Sequence, residues 1–168
     1  AAGVLGTERP ELVDGMRPVM DALAADVAAG SAELPALRAF DPYRGHSWAS
    51  GPAPFADGNN QESSSEAVSA WNGLATWAAA AGDDTLGTEA AWLLSSEADA
   101  ARTLWLEPEN LPAGFTHTMV SLNWSSKRDY ATWFSADPSA ILGIQAVPVG
   151  PVSLQYLGKD PKRVAENV

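Results

Sequence analysis

Two glutamates, Glu62 and Glu66, stand four residues apart in the polar run DGNNQESSSE of residues 57–66, just before a long apolar-periodic segment. On a helix, residues four apart lie on one face, with roughly 5–6 Å between their Cβ atoms. Paired carboxylates can share general acid and general base work. The spacing therefore predicts a two-carboxylate site at a helix start, although such a pair can also simply complement the helix dipole.

A second polar and aromatic run, DPYRGHSWASG, occupies residues 41–51. Because it is rich in hydrogen-bonding and ring side chains, it is the natural second wall of a cleft. Two of its residues have simpler alternatives, since His46 could be a structural hydrogen-bonder and Asp41 a turn former before Pro42. The candidate binding residues in the two runs are Asp41, Tyr43, His46, Trp48, Asp57, Asn60 and Gln61.

Seven tryptophans in 168 residues exceed ordinary usage, while phenylalanine and tyrosine are not enriched. Trp71 and Trp77 recur at helical spacing with apolar neighbours, which is typical of core residues. Trp48, Trp124 and Trp133 lie in irregular polar surroundings, where a flat ring can stack on a sugar face. The excess of tryptophan therefore favours a carbohydrate ligand.

Charge and composition exclude several classes of protein. There are 21 acidic and 10 basic residues, and the formal net charge of −11 argues against nucleic acid or an anionic membrane as a partner. The charge suits action on a neutral polymer, although acidic surfaces also serve solubility alone. There is no cysteine, so disulfides and thiolate metal sites are excluded. The sequence shows neither a transmembrane run nor a signal peptide.

Hydrophobic periodicity predicts three long helices. The first covers about residues 12–27, with Gly30 as its stop, and the third runs from Asp84 to about residue 106. The second is predicted over residues 62–81, with Asn59 or Asn60 as its cap and a glycine at its end. Between the first two helices lies a long loop rich in proline and glycine, of the kind that carries function on a helical scaffold.

After residue 106 the helical period is lost. Residues 119–124 could form a short strand, and residues 141–144 a brief apolar element. The chain does not start with Met, and its first five residues read as the inside of an element. We therefore expect one mainly α unit over residues 1–168, a piece of a longer protein, with helix pairs and long loops that suit an α/α toroid.

The two polar runs resemble motifs of glycoside hydrolase family 81, the endo-β-1,3-glucanases. Residues 41–51 are similar to the GHSWASG loop of that family, and residues 57–66 to its NQESSSE segment. Further on, residues 129–134 (DYATWF) and 143–148 (GIQAVP) resemble the family's YATWF and GIQxLP stretches. Four motifs in the same order make the resemblance specific, and it spans most of the chain.

The resemblance implies a secreted inverting enzyme that cuts internal bonds of laminarin-type or curdlan-like β-1,3-glucan without a metal or other cofactor. It implies a partial (α/α)6 toroid here, and it favours Glu62 over Glu66 as the general base. The family's general acid belongs to an upstream stretch that these residues do not contain. We therefore expect residues 1–168 alone to be inactive.

The spacing of Glu62 and Glu66 by itself favours a retaining mechanism. Carboxyl groups side by side on one helix face approach the shorter separation found in retaining enzymes, whereas the two carboxyl groups of an inverting enzyme lie about 6.5–9.5 Å apart. Which of the two glutamates is the base thus stays open from the residues alone. A non-catalytic, glucan-binding helical domain is the alternative. The enzyme needs a second carboxylate across the cleft, and the chain offers no matched candidate.

Overall fold

The structure is a computed structural model that describes residues 2–49 and 55–166. Helix dominates it, and the strands are only two or three residues long. The α-helices of the described residues are α1 (Ala2–Glu8), α2 (Pro10–Ala24), α3 (Ser64–Ala81), α4 (Asp84–Ala100), α5 (Pro138–Gly143) and α6 (Pro161–Ala165). Single π-helical segments extend α2 over Ala25–Ala29 and α4 over Ala101–Leu106, and a 3₁₀ turn covers Pro151–Gln155.

The first predicted helix is confirmed. It begins with Pro10 in its first turn, where a missing N–H costs nothing, and its π-helical extension ends at Gly30, whose φ is +72°. Its apolar stripe, however, is open to solvent: Leu12, Met16, Val19 and Leu23 are each at least 47% exposed. The helix is therefore amphipathic, and the described residues leave most of its apolar face uncovered.

The second predicted helix begins two residues later than expected. Asn60 and Gln61 are taken by a strand, and Ser63 is the N-cap, whose Oγ accepts a 3.4 Å hydrogen bond from the N–H of Glu66. The prediction that Asn59 or Asn60 caps the helix is therefore wrong. The predicted end at Gly82 is confirmed, since Gly82 adopts a left-handed conformation that closes the helix.

The third predicted helix is confirmed from Asp84 to Leu106. Its N-cap is Asp83, whose carboxylate accepts the N–H of Leu86 at 2.9 Å. Because only Gly82 and Asp83 separate α3 from α4, the two helices form a hairpin.

The core lies on both sides of this hairpin. One apolar cluster joins α3 and α4 to the extended end of α2, with Trp71, Leu74 and Leu93 at its centre. The other joins Val68 of α3 to the carboxyl-terminal part of the chain, including Met119 and Ile141. These clusters fix α3 as the shared scaffold.

Helix α1 crosses α3 at very close range. A Cβ added to Gly6 would lie 1.9 Å from the carbonyl oxygen of Ala80, so only glycine permits this approach.

In the ranges that the structure describes, no helix is both long and apolar enough to cross a membrane.

Two small antiparallel sheets flank the start of α3. Strands β1 (Phe40–Asp41) and β2 (His46–Ser47) form a hairpin, in which Phe40 pairs with Ser47. Strands β3 (Asn60–Gln61), β4 (Leu122–Trp124) and β5 (Arg128–Asp129) form a sheet in the order β3-β4-β5. The strand predicted over residues 119–124 is therefore confirmed for its last three residues.

Candidate functional site

Glu62 lies outside the helix, in the short link between β3 and the N-cap of α3. The expectation that Glu62 and Glu66 share the first turns of one helix is therefore wrong, and the i,i+4 separation does not apply to them. The physical reason is that β3 pairs with β4, which holds the chain extended up to Gln61.

The carboxylate of Glu62 is held by a distant part of the chain. Its Oε1 accepts a 2.9 Å hydrogen bond from the backbone N–H of Trp133. Its backbone carbonyl accepts a second bond, of 2.7 Å, from the side-chain amide of Gln145. The residue is half-buried, so the carboxylate is both fixed and reachable.

Gln145 is a buried clamp that joins three segments. Its Nε2 also donates to the carbonyl of Ser121 at 3.0 Å, and its Oε1 accepts from the Oγ of Ser64 at 2.6 Å. The backbone N–H of Ser64 approaches the same oxygen at 3.3 Å. This fully buried amide thus ties the link at Glu62, the start of α3 and the approach to β4 together.

The serines that follow Glu62 bind the same turn. Ser63 and Ser65 both donate to the carbonyl of Ile144, at 3.2 and 3.0 Å, and Ser65 also contacts the carbonyl of Val147. The run of three serines is therefore a set of tethers between the start of α3 and residues 143–148, which explains why small hydroxyl side chains follow the glutamate.

Glu66 has different surroundings. It is exposed on α3 and lines a groove of about 560 Å³ between α2 and α3. Ser47 and Gln61 also line this groove, so it adjoins the β1–β2 hairpin. Its remaining wall is largely apolar and includes Met20 and Leu23 of α2. Glu62 is not among the groove-lining residues, so the two glutamates do not share it.

An aromatic cluster adjoins Glu62. The rings of Trp124 and Trp133 are 5.4 Å apart between centroids, and Phe55 lies 5.6 and 5.5 Å from them. Trp133 is 56% exposed, whereas Trp124 is 8% exposed and donates its indole N–H to Asp129 at 2.8 Å. Trp133 therefore offers an open ring beside the carboxylate, and Trp124 supports it from below.

The β1–β2 hairpin is closed by Asp41. Its Oδ1 accepts the backbone N–H groups of Tyr43 and Arg44, and its Oδ2 accepts the indole N–H of Trp48 at 3.2 Å. Partial burial alone would raise the pKa of Asp41, but these hydrogen bonds outweigh it and hold that pKa below its ordinary value. The geometry favours the turn-forming alternative for Asp41. Tyr43 projects into solvent at 96% exposure.

His46 is fully buried, between the rings of Trp48 and Trp105 at 4.5 and 5.0 Å. Its Nδ1 lies 2.9 Å from the carbonyl of Ser47, so Nδ1 carries the proton of the neutral ring. Burial lowers the pKa of His46, which keeps the ring neutral at pH 7. This arrangement matches the structural alternative for His46 rather than direct contact with a ligand. Ser50 and Gly51, which complete the run, lie outside the described residues.

The remaining candidate residues around β3 form ion pairs and hydrogen bonds with neighbouring segments of the same chain. Asp57 forms a 3.1 Å ion pair with Lys127, which also pairs with Asp129 at 3.2 Å. Asn60 and Gln61 are buried in β3. The side-chain amide of Gln61 donates to the carbonyl of Ser47 at 3.1 Å, which joins the hairpin to the residue before Glu62.

One buried carboxylate lies beneath the hairpin. Glu97 of α4 is 1% exposed and accepts hydrogen bonds from Ser47 and from the indole of Trp71. Burial raises the pKa of Glu97, and the donated hydrogen bonds lower it only in part. Among residues 2–49 and 55–166, no group of three or more His, Asp or Glu side chains is placed to hold a metal ion.

Residues 1–167 match the family model of the glycosyl hydrolase family 81 C-terminal domain. The chain belongs to this family. The resemblance drawn from the four motifs is thereby confirmed.

Named relatives and a solved structure support the same family assignment. The chain is 38% identical to a glucan endo-1,3-beta-D-glucosidase of Acetivibrio thermocellus over 92% of its length and 20% of the relative. It is 41% identical to one from Thermobifida fusca over 79% of its length and 18% of that protein. A family 81 glycoside hydrolase of Clostridium thermocellum, solved as a mutant, superposes with a TM-score of 0.89 at 35% identity. That match covers 99% of this chain and 24% of the other. The chain thus spans about a fifth of the curated relatives it matches.

Sequence reasoning missed two residues of this candidate site. Gln145 lies in the GIQAVP motif, but nothing in the sequence indicated that its side chain would bind the Glu62 segment. Glu97 did carry a signal: it lies four residues after Leu93 and four before Ala101, so it is an acid on the buried face of α4.

Proposed function

We propose that the chain supplies the general base of an inverting endo-1,3-β-glucanase, and that this base is Glu62. The observation that carries the proposal is the 2.9 Å hydrogen bond from the N–H of Trp133 to Oε1 of Glu62, beside an exposed indole ring. A base must be held still to take a proton from one water molecule. Within the described residues, Oε2 of Glu62 accepts no hydrogen bond, so it can accept one from that water.

The substrate proposed is β-1,3-glucan of the laminarin or curdlan type. The curated relatives are named glucan endo-1,3-beta-D-glucosidases, which supports this class, and the Phe55–Trp124–Trp133 cluster offers rings for sugar faces. The net charge of −11 disfavours nucleic acid and anionic membranes as alternative partners. Because such glucans are cell-wall and storage polymers, we also propose an extracellular site of action.

Glu66 is proposed to hold substrate or water rather than to act as base. It is more exposed than Glu62, and no described backbone donor fixes its carboxylate. Asp41, Tyr43, Trp48, Asp57, Asn60 and Gln61 remain proposed contributors to substrate binding. The carboxylate of Asp41 is occupied by hydrogen bonds within its hairpin, Asp57 is in an ion pair, and Asn60 and Gln61 are buried in β3.

We further propose that residues 1–168 are part of a longer (α/α)6 toroid. The exposed stripe of α2 supports this, because Met16 and Val19 are 50% and 64% exposed and need a partner surface. In this proposal the general acid comes from another segment of that longer protein.

A non-catalytic glucan-binding role is the second candidate for the isolated chain. It is favoured by the pairing of the nearby carboxylates, since Asp57 and Asp129 both bind Lys127. A paired carboxylate is poorly suited to protonate a leaving group, whereas the aromatic cluster could bind glucan without it.

The configuration of the first product tests the enzyme proposal. The longer family 81 protein should release α-configured reducing ends from laminarin, which proton NMR resolves before mutarotation. Retained β configuration would exclude an inverting base, and the role of Glu62 would have to change to nucleophile.

A further inference from the structure

Glu97 is a fully enclosed carboxylate with three donors. Its Oε2 accepts the backbone N–H of Ser47 at 2.8 Å, the Oγ–H of Ser47 at 2.6 Å and the indole N–H of Trp71 at 2.9 Å. The Ser47 amide also approaches Oε1 at 3.1 Å. Two of these donors belong to β2 and one to α3, so Glu97 joins the hairpin to the helix that follows Glu62.

No basic side chain offsets this charge. Within the part of the chain that the structure describes, none of the ion pairs involves Glu97. A carboxylate buried without a cation costs stability, and a well-packed neutral side chain would serve the fold at least as well. Glu97 is therefore poorly explained as a device for stability alone.

The hydrogen bonds continue from Glu97 to the candidate base. The carbonyl of Ser47 accepts the side-chain amide of Gln61 at 3.1 Å, and Gln61 directly precedes Glu62. The N–H of Ala49 donates to the carbonyl of Asn60 at 2.7 Å, so the hairpin binds β3 at two points. Ser47 is thus fixed on one side by Glu97 and holds the Glu62 segment on the other.

The same face of α4 supports the hairpin a second time. Trp105 lies eight residues, about two turns, after Glu97, and its ring contacts His46 at 5.0 Å. The two residues of β2 therefore rest on Glu97 of α4 and on Trp105 of its π-helical extension. The trajectory of β2 is set by α4, and β2 in turn sets β3.

We infer that Glu97 is a positioning residue for Glu62, acting through Ser47 and Gln61. This inference rests on the proposed function, in which Glu62 is the general base. An amide keeps one oxygen for the three donors but puts an N–H₂ group in place of Oε1, where it faces the backbone N–H of Ser47 at 3.1 Å, so Ser47 shifts and carries Gln61 with it. Because a displacement of about 1 Å can cost on the order of 100-fold in rate, a small shift suffices.

The test is kinetic and uses the longer, active family 81 protein. Glu97→Gln should lower kcat on laminarin about 10- to 100-fold with KM changed less than about threefold. The matched control is Glu89→Gln, the same change on the same helix, which should leave both constants unchanged. In a Glu62→Gln background, Glu97→Gln should lower the residual rate no further, because its effect passes through the base.

Each outcome decides. Wild-type kcat in Glu97→Gln, beside an inactive Glu62→Gln, overturns the inference and leaves the proposed function standing. An equal loss in both backgrounds shows general structural damage and also overturns it. Full activity of Glu62→Gln removes the proposed function itself. Should Glu97→Gln not fold, Ser47→Ala removes one donor to Glu97, and a wild-type kcat for that variant contradicts the inference.

Discussion

The backbone N–H of Trp133 donates to the carboxylate of Glu62 across 71 residues of sequence. A backbone donor cannot be lost by changing the side chain, so it holds Oε1 whatever ring occupies position 133. The ring is then free to serve a ligand. One residue thus fixes the carboxylate with its main chain and offers an exposed indole with its side chain, which joins the second and third family motifs into one site.

Glu62→Gln in the longer family 81 protein should abolish laminarin hydrolysis and leave glucan binding nearly intact. The amide keeps the shape but cannot take a proton from water, and loss of a base costs on the order of 10²–10⁴ in rate. Reducing-sugar release measures the rate, and calorimetry with an inert glucan measures binding. Glu66→Gln is the matched control. Near-normal turnover in Glu62→Gln beside an inactive Glu66→Gln would transfer the base role to Glu66.

Trp133→Ala should weaken laminarin binding about tenfold. An indole face that covers roughly 60 Å² of sugar, at about 25 cal/mol per Å², contributes about 1.5 kcal/mol. The bond to Glu62 comes from the main chain, so it should survive. The control is Trp92→Ala. Trp92 lies on α4, where its ring is 47% exposed and packs against Phe40 of β1. Equal losses of affinity in both variants would argue against a local sugar site at Trp133.

Helices were the part of the fold most readily predicted from sequence. The period over residues 84–106 and the glycines at 30 and 82 mark real helix boundaries, because apolar spacing and left-handed caps are local properties. The start of α3 was not predictable in this way. Strand pairing of β3 with β4 extends the chain up to Gln61, and such a long-range contact leaves no local signal.

In the candidate site, too, local features could be predicted from the sequence and long-range contacts could not. The motifs identified the segments that meet, but not which atoms face a ligand. His46 looked like a binding residue because histidine is polar, whereas the structure surrounds it with two indole rings. Gln145 lies in the GIQAVP motif and had no predicted role of its own, whereas its side chain takes part in four hydrogen bonds. Burial, which decides both roles, depends on segments far away in sequence.

Gln145→Leu should destabilise the fold by about 3 kcal/mol. The leucine has a similar size, but it leaves the buried groups around Ser64 and Ser121 without partners, and each unsatisfied group costs about 1–3 kcal/mol. Urea unfolding followed by tryptophan fluorescence measures the change. The exposed Gln155→Leu is the control and should stay within about 0.5 kcal/mol of wild type. Equal stability of the two variants would contradict the clamp.

Glu97 should make stability fall as pH rises above about 4.5. Burial raises the pKa of Glu97 above its ordinary value of 4.5, so the folded state holds a proton that the unfolded state has lost. Its contribution is complete below the unfolded pKa and is lost as pH rises through the folded pKa. In Glu97→Gln this loss disappears, so the variant should gain stability relative to wild type between pH 4 and 7.

The difference in stability between wild type and Glu97→Gln at each pH isolates the titration of Glu97 from that of its neighbours. Asp41, Arg44 and His46 are the charged or titratable groups of the overlying hairpin, while α3 presents the neutral Trp71. These residues are common to both proteins, so their own titration largely cancels in the difference. Parallel stability curves, measured by urea unfolding at each pH, would contradict this prediction, because they would show that the pKa of Glu97 is the same in the folded and unfolded states.

The 168-residue chain alone should bind laminarin without hydrolysing it at an enzymatic rate. Glu62 can activate water, but the nearby carboxylates are committed elsewhere: Asp57 pairs with Lys127, and Asp41 closes its hairpin. Without a carboxylic acid to protonate the leaving oxygen, the glucosyl alkoxide is a poor leaving group and most of the rate is lost. Reducing-sugar release by the purified chain measures this, with the longer family 81 protein as positive control. Comparable turnover would show that an acid within the chain completes the site, and Asp57→Asn and Asp41→Asn would then identify it.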